Sequence, residues 1–143
     1  MQVLDERVGD ISKVDYLDEK DYIMRMIKEM VRVLFSLMLG KKYVSVELPD
    51  ENKYNVSGKG LDDFLRMVDY GQINEAENML LENLDYDSRE ENLAAIRLYQ
   101  YIGEKDEDFL SKCNYSKEEA LEGLKMLAEK AGFGEVNKIF TEL

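Results

Sequence analysis

With 143 residues, 45% hydrophobic and 35% charged, the chain has the size and balance of one folded domain needing neither disulfide nor metal support, well away from the disordered range of composition. Thirty-one acidic residues against nineteen basic ones leave a net charge of −12, which repels phosphate backbones and anionic lipid surfaces and disfavours nucleic-acid binding. Histidine is absent and the one cysteine is Cys113, which excludes histidine-based triads, a Cys–His nucleophile pair, an internal disulfide and most zinc sites.

The first residues, Met1-Gln2-Val3-Leu4-Asp5-Glu6, lack the basic-then-apolar order of a secretory signal, and the cytoplasm is the expected compartment. From Leu17 to Leu39, Tyr22, Ile23, Met26, Ile27, Met30, Val31, Leu34, Leu37 and Met38 recur at three- and four-residue steps, the period of a helix. Asp18, Glu19 and Asp21 favour its amino end, and Gly40-Lys41-Lys42 supplies a stop with cations at the other. Arg25, Lys28, Glu29 and Arg32 fall inside the stretch; each central Arg or Lys costs about 2.5–3.5 kcal/mol in a bilayer, so a membrane span is rejected.

Val33, Phe35 and Leu39 lie off the main apolar face, and a surface helix of a monomer needs only one stripe. Either the domain wraps this helix on two sides or one side meets another chain. The second case allows a homodimer through the 17–39 helix, or docking to an unknown protein partner.

Between Tyr43 and Gly60, Val44, Val46 and Leu48 alternate with Ser45 and Glu47 before Pro49, which suits an extended segment. Tyr54 and Val56 could pair back as a small hairpin, but a lone hairpin is marginal, so an irregular connector is expected. Gly58-Lys59-Gly60 lacks the spacing of a phosphate loop.

Three helix–break–helix units follow. Leu61, Phe64, Leu65 and Val68 mark one face before Gly71, and Ile73, Ala76, Met79, Leu80 and Leu84 mark the next. Asp87 or Ser88 with Glu90 or Glu91 opens the second unit, whose stripe is Leu93, Ile96, Tyr99 and Ile102 before Gly103 and a short helix from Glu107 to Lys112. The third opens on the capping box Ser116-Lys117-Glu118-Glu119 and carries Ala120, Leu121, Leu124, Leu127, Ala128 and Ala131 up to Gly132. Val136, Ile139, Phe140 and Leu143 form the last helix. Breaks at 71, 103 and 132 lie close to the 34-residue tetratricopeptide period. The expectation is an all-α, single helical domain over 1–143, with an N-terminal segment and long helix (1–42), a connector (43–60) and antiparallel helix hairpins (61–143). These either stack as a tetratricopeptide-like arc or close as a compact bundle.

Chemistry would have to rest on carboxylates, lysine or tyrosine. Asp85-Tyr86-Asp87-Ser88-Arg89-Glu90 begins like a calcium loop but puts glutamate where the sharp turn needs glycine, and reads as a capping segment. Glu75, Glu77 and Glu82 lack the Glu-x-x-His pairs of helical metal sites. No catalytic, cofactor-binding or metal residue is assigned and no cofactor is expected. Tyr99 and Tyr101 point to different helix faces, so one of them is expected at the surface. With Met30, Leu34 and Phe35 of the long helix they form the candidate interaction surface.

Three segments, Asp21-Tyr22-Ile23-Met24-Arg25-Met26-Ile27, Gly71-Gln72-Ile73-Asn74-Glu75-Ala76-Glu77-Asn78-Met79-Leu80-Leu81 and Tyr115-Ser116-Lys117-Glu118-Glu119, together resemble an uncharacterised bacterial family, a domain of unknown function with a tetratricopeptide-like helical fold. The resemblance implies a small helical protein with no established activity, so no functional residue is carried over from it. The residues themselves favour a non-enzymatic interaction or scaffold module with an unknown partner. The alternative is a carboxylate-dependent enzyme or a small-molecule-binding helical protein.

Overall fold

The apolar spacing is realised as helices. The computed structural model describes residues 22–40, 55–56 and 59–141; residues 17–21, Val44, Val46, Leu48, Tyr54 and Leu143, each part of an expected element, lie outside them. Helix α1 covers residues 22–39. It is followed by the two-residue strands β1 (Asn55–Val56) and β2 (Lys59–Gly60), then α2 (Leu61–Asp69), α3 (Ile73–Asn83), α4 (Arg89–Gly103), α5 (Glu107–Lys112), α6 (Lys117–Lys130) and α7 (Glu135–Thr141). The fold is all-α. Where an irregular connector was expected, Val56 pairs with Lys59 and Asn55 with Gly60 in a minimal antiparallel ladder, and Gly60 then serves as the N-cap of α2.

Helix starts follow the sequence signals. The Ser88 and Ser116 hydroxyls accept hydrogen bonds from the Glu91 and Glu119 amides at 3.2 and 3.1 Å, each satisfying a donor that the first turn leaves orphaned. The segment from Asp85 leads into the cap of α4, as expected: the Asp85 carboxylate accepts from the Asp87 amide at 2.9 Å, and Glu91 reaches back to the Asp85 amide at 2.8 Å.

The corners differ in one respect from the glycine pattern. Gly71 and Gly132 adopt φ of +85° and +94° and close α2 and α6 with paired bonds, Gln72 N to Met67 O and Gly71 N to Val68 O in the first, Phe133 N to Ala128 O and Gly132 N to Glu129 O in the second. The third corner of this type uses Asn114, with φ of 63°, after α5; there Tyr115 N donates to Leu110 O and Asn114 N to Ser111 O. Gly103 ends α4 as expected but without the left-handed backbone of the other two glycines. Its missing side chain admits α1: a β-carbon there would lie 3.1 Å from Ile27 Cδ1.

Helix α4 is the hub. Asn92, Leu93, Ala94, Ala95, Ile96, Leu98, Tyr99, Gln100, Ile102 and Gly103 are all buried, more than one stripe and the mark of a helix covered on most sides. Helix α1 runs antiparallel beside it, since Ile27 meets Gly103 at one end and the Met38 carbonyl meets Arg89 at the other. Helix α6 is antiparallel too, because Gly123 abuts Tyr99 and Lys117 reaches the Gly103 carbonyl. Helix α2 aligns its end with that of α4 through Asp69, Tyr101 and Lys105, and α3 is tied to α4 through Glu77 and Tyr99.

Candidate functional site

Four of the five expected surface residues belong to the core. Met30, Leu34 and Phe35 are 0% exposed and Tyr99 is 1% exposed, because α1 lays its wide apolar face along α4 and is wrapped by its own chain. Tyr101 alone is partly exposed, and its hydroxyl donates to Asp69 at 2.7 Å. Lys105 donates to the same carboxylate oxygen at 2.6 Å and lies 4.6 Å from the Tyr101 ring centroid. These two donors, Lys105 first, hold the Asp69 carboxyl below its usual value; the Asp69 bond in turn raises Lys105, and burial with the Asp69 bond raises Tyr101. The trio ties the end of α2 to the end of α4.

A second polar cluster lies under α3. Tyr99 donates to Glu77 Oε2 at 2.6 Å, and burial, followed by the Glu77 charge, pushes the hydroxyls of Tyr99 and Tyr115 far up. Both phenols stay protonated, so neither offers a base near neutral pH. Lys117 is shifted in the opposite sense to Lys105. Its Nζ donates to the Gly103 and Lys105 carbonyls at 2.7 and 2.8 Å, capping α4, while burial pulls its ammonium down against the neighbouring Glu107, Asp106 and Glu104.

Among the described residues, a concave site lies elsewhere, where the end of α1, the start of α4 and the turn after α6 meet. Leu37, Met38, Tyr86, Asp87, Arg89, Asn92, Ala131 and Phe133 line a cleft of about 270 Å³. Leu37 is half exposed at 50%, while Tyr86, Ala131 and Phe133 are partly buried. Arg89 donates to the Met38 carbonyl at 3.3 Å, bridging α1 to α4. Asn92 is 4% exposed; its Nδ2 donates to the Tyr86 carbonyl at 2.9 Å, but its Oδ1 is buried without a hydrogen-bond partner among the described residues. That oxygen is closed to solvent, and an orphaned buried acceptor costs about 1–3 kcal/mol.

The sequence carried a faint sign of this site. Residues 92, 96, 99 and 103 share one helix face at steps of four, three and four, so an amide at 92 stands on an otherwise inward stripe. The meeting of three helix ends carries no local signal, since their relative placement is set by packing alone. Among the described residues, no group of three acidic or cysteine side chains is placed to hold a metal ion, and no helix is long and apolar enough to cross a membrane.

No curated protein and no solved structure matches the chain. Residues 17–132 do match a family model described as a family of unknown function, DUF6483, and the chain belongs to that family.

Proposed function

We propose that the chain is a non-enzymatic interaction module of the cytoplasm, and that the cleft between α1, α4 and the α6 turn is where a protein partner docks. The observation carrying this reading is the cleft itself: an apolar wall of Leu37, Met38, Tyr86 and Phe133 beside the Arg89 guanidinium. At about 270 Å³ it falls just below the roughly 300–1,000 Å³ of pockets that enclose small molecules and cofactors, which favours a piece of a polypeptide. A lone cysteine suits the reducing compartment. The tetratricopeptide kinship rests on the α2–α3 hairpin and its glycine corner; a stack of such units would alternate helix direction pair by pair, whereas here α6 itself returns along α4 past the short α5. We therefore favour a bundle with one tetratricopeptide-like corner. Homodimerisation through α1 would have to use its edges, Tyr22 and Leu37, because its broad face is covered.

A photo-crosslinking residue placed at position 37 tests the docking reading in native cytosol, with position 126, exposed on α6, as control. The expected result is one reproducible protein adduct at 37, suppressed by excess unlabelled chain and missing at 126. No adduct, or the same adducts at both positions, rejects it.

A further inference from the structure

Tyr101 is the expected surface residue that stays partly exposed, and the groups around it are those of a cation site. Lys105 Nζ lies 2.6 Å from Asp69 Oδ1, 4.6 Å from the Tyr101 ring centroid and 5.7 Å from that of Phe109. A carboxylate and two aromatic rings around one nitrogen are what proteins use to hold an ammonium group. Arg97 also comes within 5.5 Å of the Tyr101 centroid, so this ring draws two cations.

The side chain of Lys105 is not what closes the fold here. Tyr101 itself donates to Asp69 Oδ1, so α2 stays tied to α4 when the lysine swings away, and Lys117 takes the Lys105 carbonyl, not its side chain. The Lys105 and Asp69 side chains are 27% and 44% exposed, within reach of an incoming group, and an ion pair this open is held weakly. The net charge of −12 favours a cationic ligand. Tyr101 and Lys105 share a single carboxylate oxygen, which suits the compact charge of an ammonium; the fork of an arginine is matched to both oxygens.

We infer that Asp69, Tyr101 and Phe109 form a site for the ammonium group of a lysine on a partner protein, with Lys105 as a tethered occupant that the incoming lysine displaces. This site is separate from the cleft, and a partner could use either without the other. A rival on the same chain acts at an effective concentration on the order of millimolar, so a free lysine side chain competes poorly with Lys105 and gains when it is removed. In an assembled complex the exchange would be one contact within a larger interface.

The test titrates the full chain, wild type and Lys105→Ala, with N-acetyl-lysine N′-methylamide, followed by NMR at about 0.15 M salt to screen the general pull of an acidic chain. The expected result in Lys105→Ala is saturable shifts at residues 69, 101 and 109, with an affinity about tenfold above that of the wild type. The norleucine counterpart of the probe, similar in shape but uncharged, should bind about tenfold more weakly, and adding Asp69→Asn to Lys105→Ala should abolish the shifts. In the wild type, saturating probe should move the Lys105 ε-methylene protons, which the two rings shield, toward their unshielded position; this readout decides the matter even where Lys105→Ala does not fold. Absence of saturable shifts in folded Lys105→Ala overturns the inference, as do equal affinity in the two chains, equal binding of the norleucine probe, undiminished binding after Asp69→Asn, and Lys105 protons that stay in place in the saturated wild type. Tighter binding of cadaverine than of the lysine probe would make the ligand a free amine and overturn the assignment to a partner protein. A crosslinked partner at position 37 together with a failed lysine titration would keep the cleft reading and discard this site.

Discussion

Gly123 lies so close to the Tyr99 ring that a β-carbon built on it would sit 2.4 Å from Cε1 and 2.5 Å from Cζ. Glycine inside a helix ordinarily weakens it by about 1 kcal/mol relative to alanine, so its presence in α6 is explained by the ring it admits. Gly123→Ala should therefore destabilise, by about 1–3 kcal/mol as overpacking does, where helix propensity alone would stabilise. Urea unfolding measures the sign. Combining it with Tyr99→Leu, which removes the ring, should recover part of the loss; additivity of the two changes would show that the contact is not made.

The same tyrosine also holds α3. Tyr99→Phe keeps the ring and removes the donor to Glu77, leaving a partly buried carboxylate short of a partner. A loss of about 1.5–3 kcal/mol is expected, the range for hydrogen bonds to charged groups. Glu77→Leu, which removes the charge as well, should cost less when combined with Tyr99→Phe than the two separate losses summed.

Ser88→Ala and Ser116→Ala each remove an N-cap acceptor and should each cost about 1 kcal/mol. The two serines begin antiparallel helices at opposite ends of the bundle, so their effects should add. Gly132→Ala is expected to cost about 1 kcal/mol with no steric clash, since a β-carbon there meets nothing within 4 Å and only its φ of +94° opposes the change. Chemical denaturation of the four proteins side by side checks all three.

Asp69 gives a pH signature. Lys105 and Tyr101 hold its folded pKa below the ordinary 3.8, so its contribution is full above that value and is lost as pH falls through the folded value. Because the side chain is 44% exposed, the contribution is screened and should stay below about 1 kcal/mol. Asp69→Asn should accordingly be slightly less stable than the parent chain at pH 7, with the gap shrinking at pH 2.5. A gap that widens in acid would contradict the arrangement.

Much of the helical framework can be read in the residues one element at a time. Periodicity placed the helices, the serine caps marked two starts, and Gly71 and Gly132 marked two corners, because each of these is a local demand of backbone geometry. Gly103 marked the end of α4 correctly, but its non-local role, room for Ile27, left no local sign. Gly123 went unread because nothing near it in sequence reveals Tyr99 above it. Asn114 replaced the missing glycine since a short polar side chain tolerates the left-handed region. The surface residues chosen from α1 are hidden because apolarity reports burial without saying what covers it, and the cleft escaped notice because three helix ends distant in sequence assemble it.

The central position of α4 bears on how the chain is made. Its upstream neighbour α1 leaves the ribosome first, but Tyr99 has no cover on one flank until Gly123 has been synthesised. A product that stops short of residue 117 therefore displays a raw greasy groove, the kind of exposure that invites clumping. The last fifth of the chain, from α6 onward, is thus what closes the flank of α4 that Tyr99 lines.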